Sequence, residues 1–181
     1  MHEHLKTDFK ALWSWISLGP KERGHCLRLP TVVTSSELGP TARTMVLRDV
    51  VDRCLFFFTD MRSPKVEHIR THPIGCIHAY DHSDRFQVQI HGHFSLVQDH
   101  PKMEDWRSVG LKMFTDYGSS TPPGAILPQD NMVTKDLARK HFMVVQIRPE
   151  RIELLKLNRT GHWRVRWSRN EQGWTVNELV P

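Results

Sequence analysis

Cysteine is scarce in this chain. Cys26, Cys54 and Cys76 stand far apart among 181 residues. Three are too few for a disulfide framework, and they are expected as buried thiols in a reducing compartment. No stretch has the apolar length of a membrane span. The first residues, Met1-His2-Glu3-His4-Leu5-Lys6, lack the apolar run of a secretory signal. Both absences point to a cytoplasmic protein without a membrane partner. Like charges never gather in a block of five or six, although the net charge is +5 and the pI is near 9.3. Scattered basic charge suits a small anionic ligand better than a polyanion, so no nucleic-acid partner is expected. Twelve histidines raise the question of a metal. His91-x-His93, with His78 and His82 before it, lacks the three or four convergent ligands a site needs, and no metal is expected. Neither a Cys-His nucleophile arrangement nor paired carboxylates stand out, so no catalytic residue is assigned.

What the chain does contain is ordinary for a globular protein: 39% apolar and 25% charged residues. Residues 1–181 are expected as one domain, which would bury roughly 70% of the unfolded surface. Leu5, Phe9, Leu12, Trp13 and Ile16 fall on one helical face, and Gly19-Pro20 ends that helix. A first strand is expected over Cys26 to Thr34, then a turn from Ser35 to Pro40. The next strand carries Arg43-Thr44-Met45-Val46-Leu47-Arg48. Alternation there would put Arg43, Met45 and Leu47 on one face and Thr44, Val46 and Arg48 on the other, unless a bulge intervenes. Cys54 to Thr59 is a short apolar strand. Ser63-Pro64 starts a helix, a hydroxyl able to cap followed by a residue whose φ suits the first helical position, and Pro73 stops it.

Further on, Ile74 to Tyr80 reads as a near-continuous apolar strand. The stretch from Arg85 alternates, with Phe86, Val88, Ile90, Phe94 and Leu96 on one face and Gln87, Gln89, His91, His93 and Ser95 on the other. Gly92 marks a kink or a close backbone approach. A helix starts at Asp99-His100-Pro101, a long loop spans Gly118 to Asn131, and a short helix covers Met132 to Lys140. Strands follow at Phe142 to Ile147, Arg151 to Leu157, His162 to Arg169 and Trp174 to Leu179, with Asn158 to Gly161 as a hairpin turn.

Two patterns suggest chemistry. Arg43, Ser63 and Lys65 come together if the strand and the helix start are neighbours, and a helix N-terminus flanked by two cations seats a phosphate. The plain alternative is that both cations are solvated. Trp163, Arg164, Arg166 and Trp167 interleave cations with aromatics, a pattern able to grip nucleic acid or a flavin ring, or to form a surface hairpin with cation–π pairs.

The run Arg43-x-x-x-Leu47-Arg48, then Phe58-Thr59-Asp60-x-x-Ser63-x-Lys65, then Gln87-Val88-x-Ile90-x-Gly92 resembles the pyridoxamine 5′-phosphate oxidase family, the FMN-binding split barrels. A weaker likeness continues to Asn177-Glu178-Leu179-Val180-Pro181. The resemblance implies a mainly β (α+β) fold, an antiparallel split β-barrel with flanking helices. It implies a homodimer that holds FMN between subunits. The implied cofactor-binding residues are Arg43, Thr44, Met45, Val46, Leu47, Arg48, Phe58, Thr59, Ser63, Lys65, Gln87 and Arg166. Ser119 and Ser120 are candidates to complete the site from the partner subunit. The implied activity is that of an FMN-dependent oxidoreductase with a small-molecule substrate or electron donor. The alternatives are a flavin- or haem-binding carrier or sensor without turnover, and a basic nucleic-acid-binding barrel. The pattern also departs from the family. Arg48 stands where a Lys is usual, Pro64 where a basic residue is usual, and His162-Trp163-Arg164 where the family has Arg-x-His. Pyridoxamine phosphate itself is therefore not the expected substrate.

Overall fold

The computed structural model describes residues 2–181. After a single 3₁₀ turn, helix α1 (Phe9–Ile16) starts at Asp8, whose carboxylate accepts the Ala11 N–H at 2.9 Å. It buries Leu12, Trp13 and Ile16, part of the expected stripe, while Leu5 is buried from the preceding 3₁₀ turn rather than from this helix. Cys26–Arg28 is a 3₁₀ turn rather than the start of a strand. The reason is local: the His25 Nδ1 accepts the Leu27 N–H at 3.1 Å, which favours a turn over a ladder. The first strand, β1 (Thr31–Ser36), begins after Pro30.

The remaining elements are β2 (Gly39–Thr44), β3 (Leu47–Val51), β4 (Cys54–Asp60), α2 (Pro64–Thr71), β5 (Ile74–Asp81), β6 (Phe86–Val97), α3 (Met103–Lys112), α4 (Lys135–His141), β7 (Phe142–Lys156), β8 (Trp163–Asn170) and β9 (Gly173–Leu179). Pairing is antiparallel throughout, in the order β2-β1-β5-β6-β7-β4-β3, with β8 and β9 continuing from β7. The two strands expected at Phe142 to Ile147 and Arg151 to Leu157 are one 15-residue strand. It pairs with β4 through its first half and with β8 through its second. A register shift on β6 between His91 and Gly92 bends the ladder there. A Cβ on Gly92 would collide with the Arg148 carbonyl, so this glycine serves a close backbone approach.

The strand order shapes the barrel. β2 and β3 close opposite ends of the sheet, yet only Met45 and Val46 separate them in the chain. Two residues reach only about 10 Å, so the sheet must curl until its edges nearly meet. They are not paired, and the barrel stays split. The single strand expected through Arg43 to Arg48 is therefore two strands, and face alternation does not carry across the break. Met45 is buried there, its N–H donating to the Pro30 carbonyl at 3.1 Å.

Two apolar clusters hold this frame. One fills the barrel, with Leu12, Ile16, Leu47, Phe57, Phe86, Ile90 and Trp167 among its members. The other lies between the outer face of β4 and the helical segments, with Phe56, Phe58, Trp106, Tyr117 and Phe142. Every residue of β4 is buried, which explains its continuous apolar run. Each such side chain contributes roughly 1.5–3 kcal/mol by burial. β5 is different, since Ile74 is 57% exposed and the strand alternates rather than being apolar throughout. Among the described residues, no helix is long and apolar enough to cross a membrane.

Candidate functional site

The unpaired seam between β2 and β3 opens a cavity of about 280 Å³. Arg43, Thr44, Met45, Val46 and Arg48 line it along the chain break, Phe58 and Thr59 from β4, and Lys65 from α2. Eight of the twelve residues singled out in the sequence thus share one cleft. β4 aims Thr59 at it, and the turn after β4 brings the first residues of α2 alongside.

Two cations face each other at one end of the cleft. The Arg43 Nη1 donates to Thr34 Oγ1 at 2.7 Å and to the Val32 carbonyl at 3.3 Å. The Lys65 Nζ donates to Thr59 Oγ1 at 3.2 Å and to the Ser63 hydroxyl. Their partners are hydroxyls and carbonyls, not carboxylates. The nearby Asp60 carboxylate is taken by Arg62, with contacts of 2.7 and 3.0 Å to the guanidinium and 2.8 Å to its backbone N–H. Burial lowers the Lys65 pKa, and the Arg43 charge lowers it further, with Asp60 opposing. Burial also lowers that of Arg43. Two partly desolvated, mutually repelling cations are costly to hold. An anion between them would relieve that cost.

Ser63 sits at the N-cap position of α2 but makes no side-chain cap bond. The expected capping role gives way to the bond from Lys65, which leaves the helix N-terminus without a side-chain cap, while of this helix only Lys65 lines the cleft.

The other expected residues are placed differently. Leu47 is only 1% exposed and belongs to the barrel core, bordering a neighbouring cavity. Gln87 lies on β6 opposite Leu155, and Arg166 on β8 opposite Glu153. Neither lines a cavity at the seam. Glu153, 5% exposed, accepts from Arg164 at 2.6 and 3.2 Å and from Arg166 at 2.9 Å, with Arg151 at 3.4 Å. Burial would raise the Glu153 pKa, but the Arg164 and Arg166 bonds and charges hold it below the ordinary carboxylate value. The interleaved cations and aromatics of this hairpin part company across the strand. Arg164 and Arg166 point one way, while Trp167 enters the core and donates to the Leu5 carbonyl at 3.1 Å.

Ser119 and Ser120 both donate to Asn131 Oδ1, at 2.8 and 3.1 Å, and Arg62 binds both their carbonyls. They tie the long loop to itself and to the turn after β4. Two of the three cysteines, Cys26 and Cys76, are half-buried rather than buried, and all three are free.

Some residues at the seam carried no sequence signal. Tyr117 and Asp116 line the first cavity. A second cavity of about 420 Å³ shares Val46, Arg48 and Phe58 with the first and reaches Arg28, Lys102 and Trp106. Arg28 and Lys102 lie in segments without a motif, and only the fold brings them there.

Comparison with known proteins matches this architecture. The family model for the pyridoxamine 5′-phosphate oxidase FMN-binding domain covers residues 10–98. No curated protein matches. Among solved structures, PhzG from Burkholderia lata 383, in complex with tetrahydrophenazine-1-carboxylic acid, superposes with a TM-score of 0.78 at 15% identity, covering 100% of this chain and 97% of that one. A pyridoxamine 5′-phosphate oxidase-related, FMN-binding protein from Nostoc punctiforme PCC 73102 gives 0.71 at 20% identity, covering 97% and 98%. At these identities the structural likeness establishes the fold, and it extends past the matched segment to β7, β8 and β9.

Proposed function

We propose that this chain, which over residues 10–98 belongs to the pyridoxamine 5′-phosphate oxidase FMN-binding-domain family, is an FMN-dependent oxidoreductase whose cofactor sits in the seam between β2 and β3. The observation that carries this reading is the half-buried pair Arg43 and Lys65, neither of which makes an ion pair with a carboxylate among the described residues. The donor set fits a phosphate dianion: two cations, the Ser63 and Thr59 hydroxyls, and the uncapped N-terminus of α2. Met45, Val46 and Phe58 offer apolar surface to the rest of the cofactor. The flavin ring, when bound, supplies hydride or electron transfer. The chain's own part is to fix the phosphate, shield the cleft from water through Phe58 and Tyr117, and set the charge around it through Arg48.

Gln87 and Arg166 lie outside the seam of their own chain; they would reach a seam only in a homodimer with two shared sites, the assembly that the family likeness suggests. Sedimentation at micromolar concentration should show the dimer, and a clean monomer that holds FMN tightly would sink that arrangement. The unpaired thiols suit a reducing, cytoplasmic setting. The reading as a whole is tested by the visible spectrum of the purified protein and the chromophore released on denaturation. FMN should be released, and a colourless protein that takes up no added FMN would overturn it. Reduction of the bound flavin by a nicotinamide or a substrate separates the oxidoreductase from a flavin carrier or sensor.

A further inference from the structure

We infer that the second cavity is a substrate chamber beside the cofactor seat, built for an apolar body bearing one carboxylate, which Arg28 recognises. The inference rests on the FMN reading for what lies next door. The chamber itself stands on its own residues. Its volume is about 420 Å³, and Pro20, Val46, Leu47, Phe58, Trp106 and Val109 give it apolar walls. It adjoins the first cavity, with which it shares Val46, Arg48 and Phe58 as lining residues.

The polar groups of the chamber are unequally committed. Asp49 Oδ2 accepts from Lys102 and, at 3.0 Å, from the Trp106 indole, so that carboxylate and that ammonium offset each other and lock α3 onto β3. Asp105 is exposed to water. Arg28 donates one bond, from Nη1 to the Pro20 carbonyl at 2.9 Å, and Arg48 donates to the Met113 sulfur at 3.3 Å and lies over the Phe58 ring. Neither guanidinium is paired with a carboxylate among the described residues. Arg28, Arg48 and Lys102 against Asp49 and Asp105 leave one positive charge in excess. That suits a monoanion, and a planar guanidinium fork matches a carboxylate. The hairpin guanidiniums Arg164 and Arg166 are already spent on Glu153. Anion recognition thus falls to the N-terminal segment through Arg28, and Arg48 serves both cavities.

The test is calorimetric titration of 2-naphthoate, and of the neutral and similarly shaped 2-naphthamide, into the protein with and without FMN. FMN affinity is followed separately by fluorescence, and thermal melts check folding. The acid should bind at least tenfold more tightly than the amide, and should perturb the flavin visible band. Arg28→Gln should abolish the preference while leaving FMN affinity unchanged, and Arg28→Lys should keep part of it. Equal binding of acid and amide, or no binding of either, overturns the inference without any variant. So does an Arg28→Gln protein that keeps the preference, or one that loses FMN along with naphthoate, which would make the chamber part of the cofactor seat. A wild-type protein that takes no FMN, yet binds naphthoate selectively through Arg28, would sink the FMN reading and leave the chamber standing.

Discussion

The seam between β2 and β3 and the hairpin face of β7 and β8 both gather cations, and they treat them in opposite ways. At the seam, Arg43 and Lys65 meet only hydroxyls and carbonyls, and burial pushes both pKa values down. On the hairpin, Arg151, Arg164 and Arg166 converge on the buried Glu153. The same residue types thus serve as a ligand seat in one place and as a structural brace in the other. What separates them is direct pairing with a carboxylate. Asp60 also lines the seam and its charge reaches Lys65, but its oxygens are bonded to Arg62.

The largest consequence concerns turnover of pyridoxamine and pyridoxine phosphates. A second phosphate site is needed for those substrates, and in the family resembled here the hairpin supplies part of it. Here His162 and Arg164 stand exchanged, and Arg164 is clamped by Glu153. Losing two well-placed contacts costs several kcal/mol, or about a hundredfold and more in rate. The FMN-loaded protein should oxidise both compounds at least that much more slowly than an authentic oxidase. Comparable turnover in a steady-state assay would show that the hairpin cations are free after all.

At the seam, Lys65→Ala should weaken FMN about tenfold to a hundredfold, the roughly 1.5–3 kcal/mol of a charged hydrogen bond. Riboflavin, which has no phosphate, should be insensitive to the change. If Lys65→Ala binds FMN as well as the parent does, the contrast between seat and brace fails at its first term.

On the hairpin, Glu153→Gln should act on stability first. It leaves three guanidiniums facing an amide. Because all three keep some contact with water (33–42% exposed side chains), the cost is held to about 1–2 kcal/mol. At roughly 2–4 °C per kcal/mol for a chain of this size, thermal melting should register it. An unchanged melting temperature would mean that the brace contributes nothing.

Most of this architecture could be read from residue order. The alternation in β6, the apolar run of β4 and the Ser-Pro helix start all reflect local periodicity and backbone chemistry, and they stand where expected. The seam did not show itself, because its cause is global. Nothing in Thr44-Met45-Val46-Leu47 says that the strands on either side close opposite ends of one sheet. For the same reason Arg28 and Lys102 went unnoticed, since they reach the second cavity only after the sheet has curled. Gln87 and Arg166 came from the family pattern, and the seam of a single chain does not gather them. Glu153 was legible as a strand residue, but its partners are cross-strand neighbours that register alone decides.

The smallest effect has the clearest sign. Lys65 carries a pKa lowered by burial and by Arg43 in the free protein, and a phosphate dianion beside it must raise that value again. FMN binding therefore takes up a proton in the alkaline window between the lowered value and the bound one. Affinity should fall, by a few-fold, as pH rises through the free protein's Lys65 pKa. The stability of the free protein should move the other way. The fold disfavours the charged ammonium, so in the interval below the ordinary lysine value of 10.5 the unfolded chain binds more protons than the native one, and stability rises with pH. Lys65→Gln should flatten both curves. Titrating FMN and riboflavin in parallel across this range isolates the phosphate, because only FMN should lose affinity through Lys65. Parallel slopes for the two ligands would place the titrating group elsewhere in the cleft. An affinity that rises with pH would mean that the ammonium and the phosphate never meet.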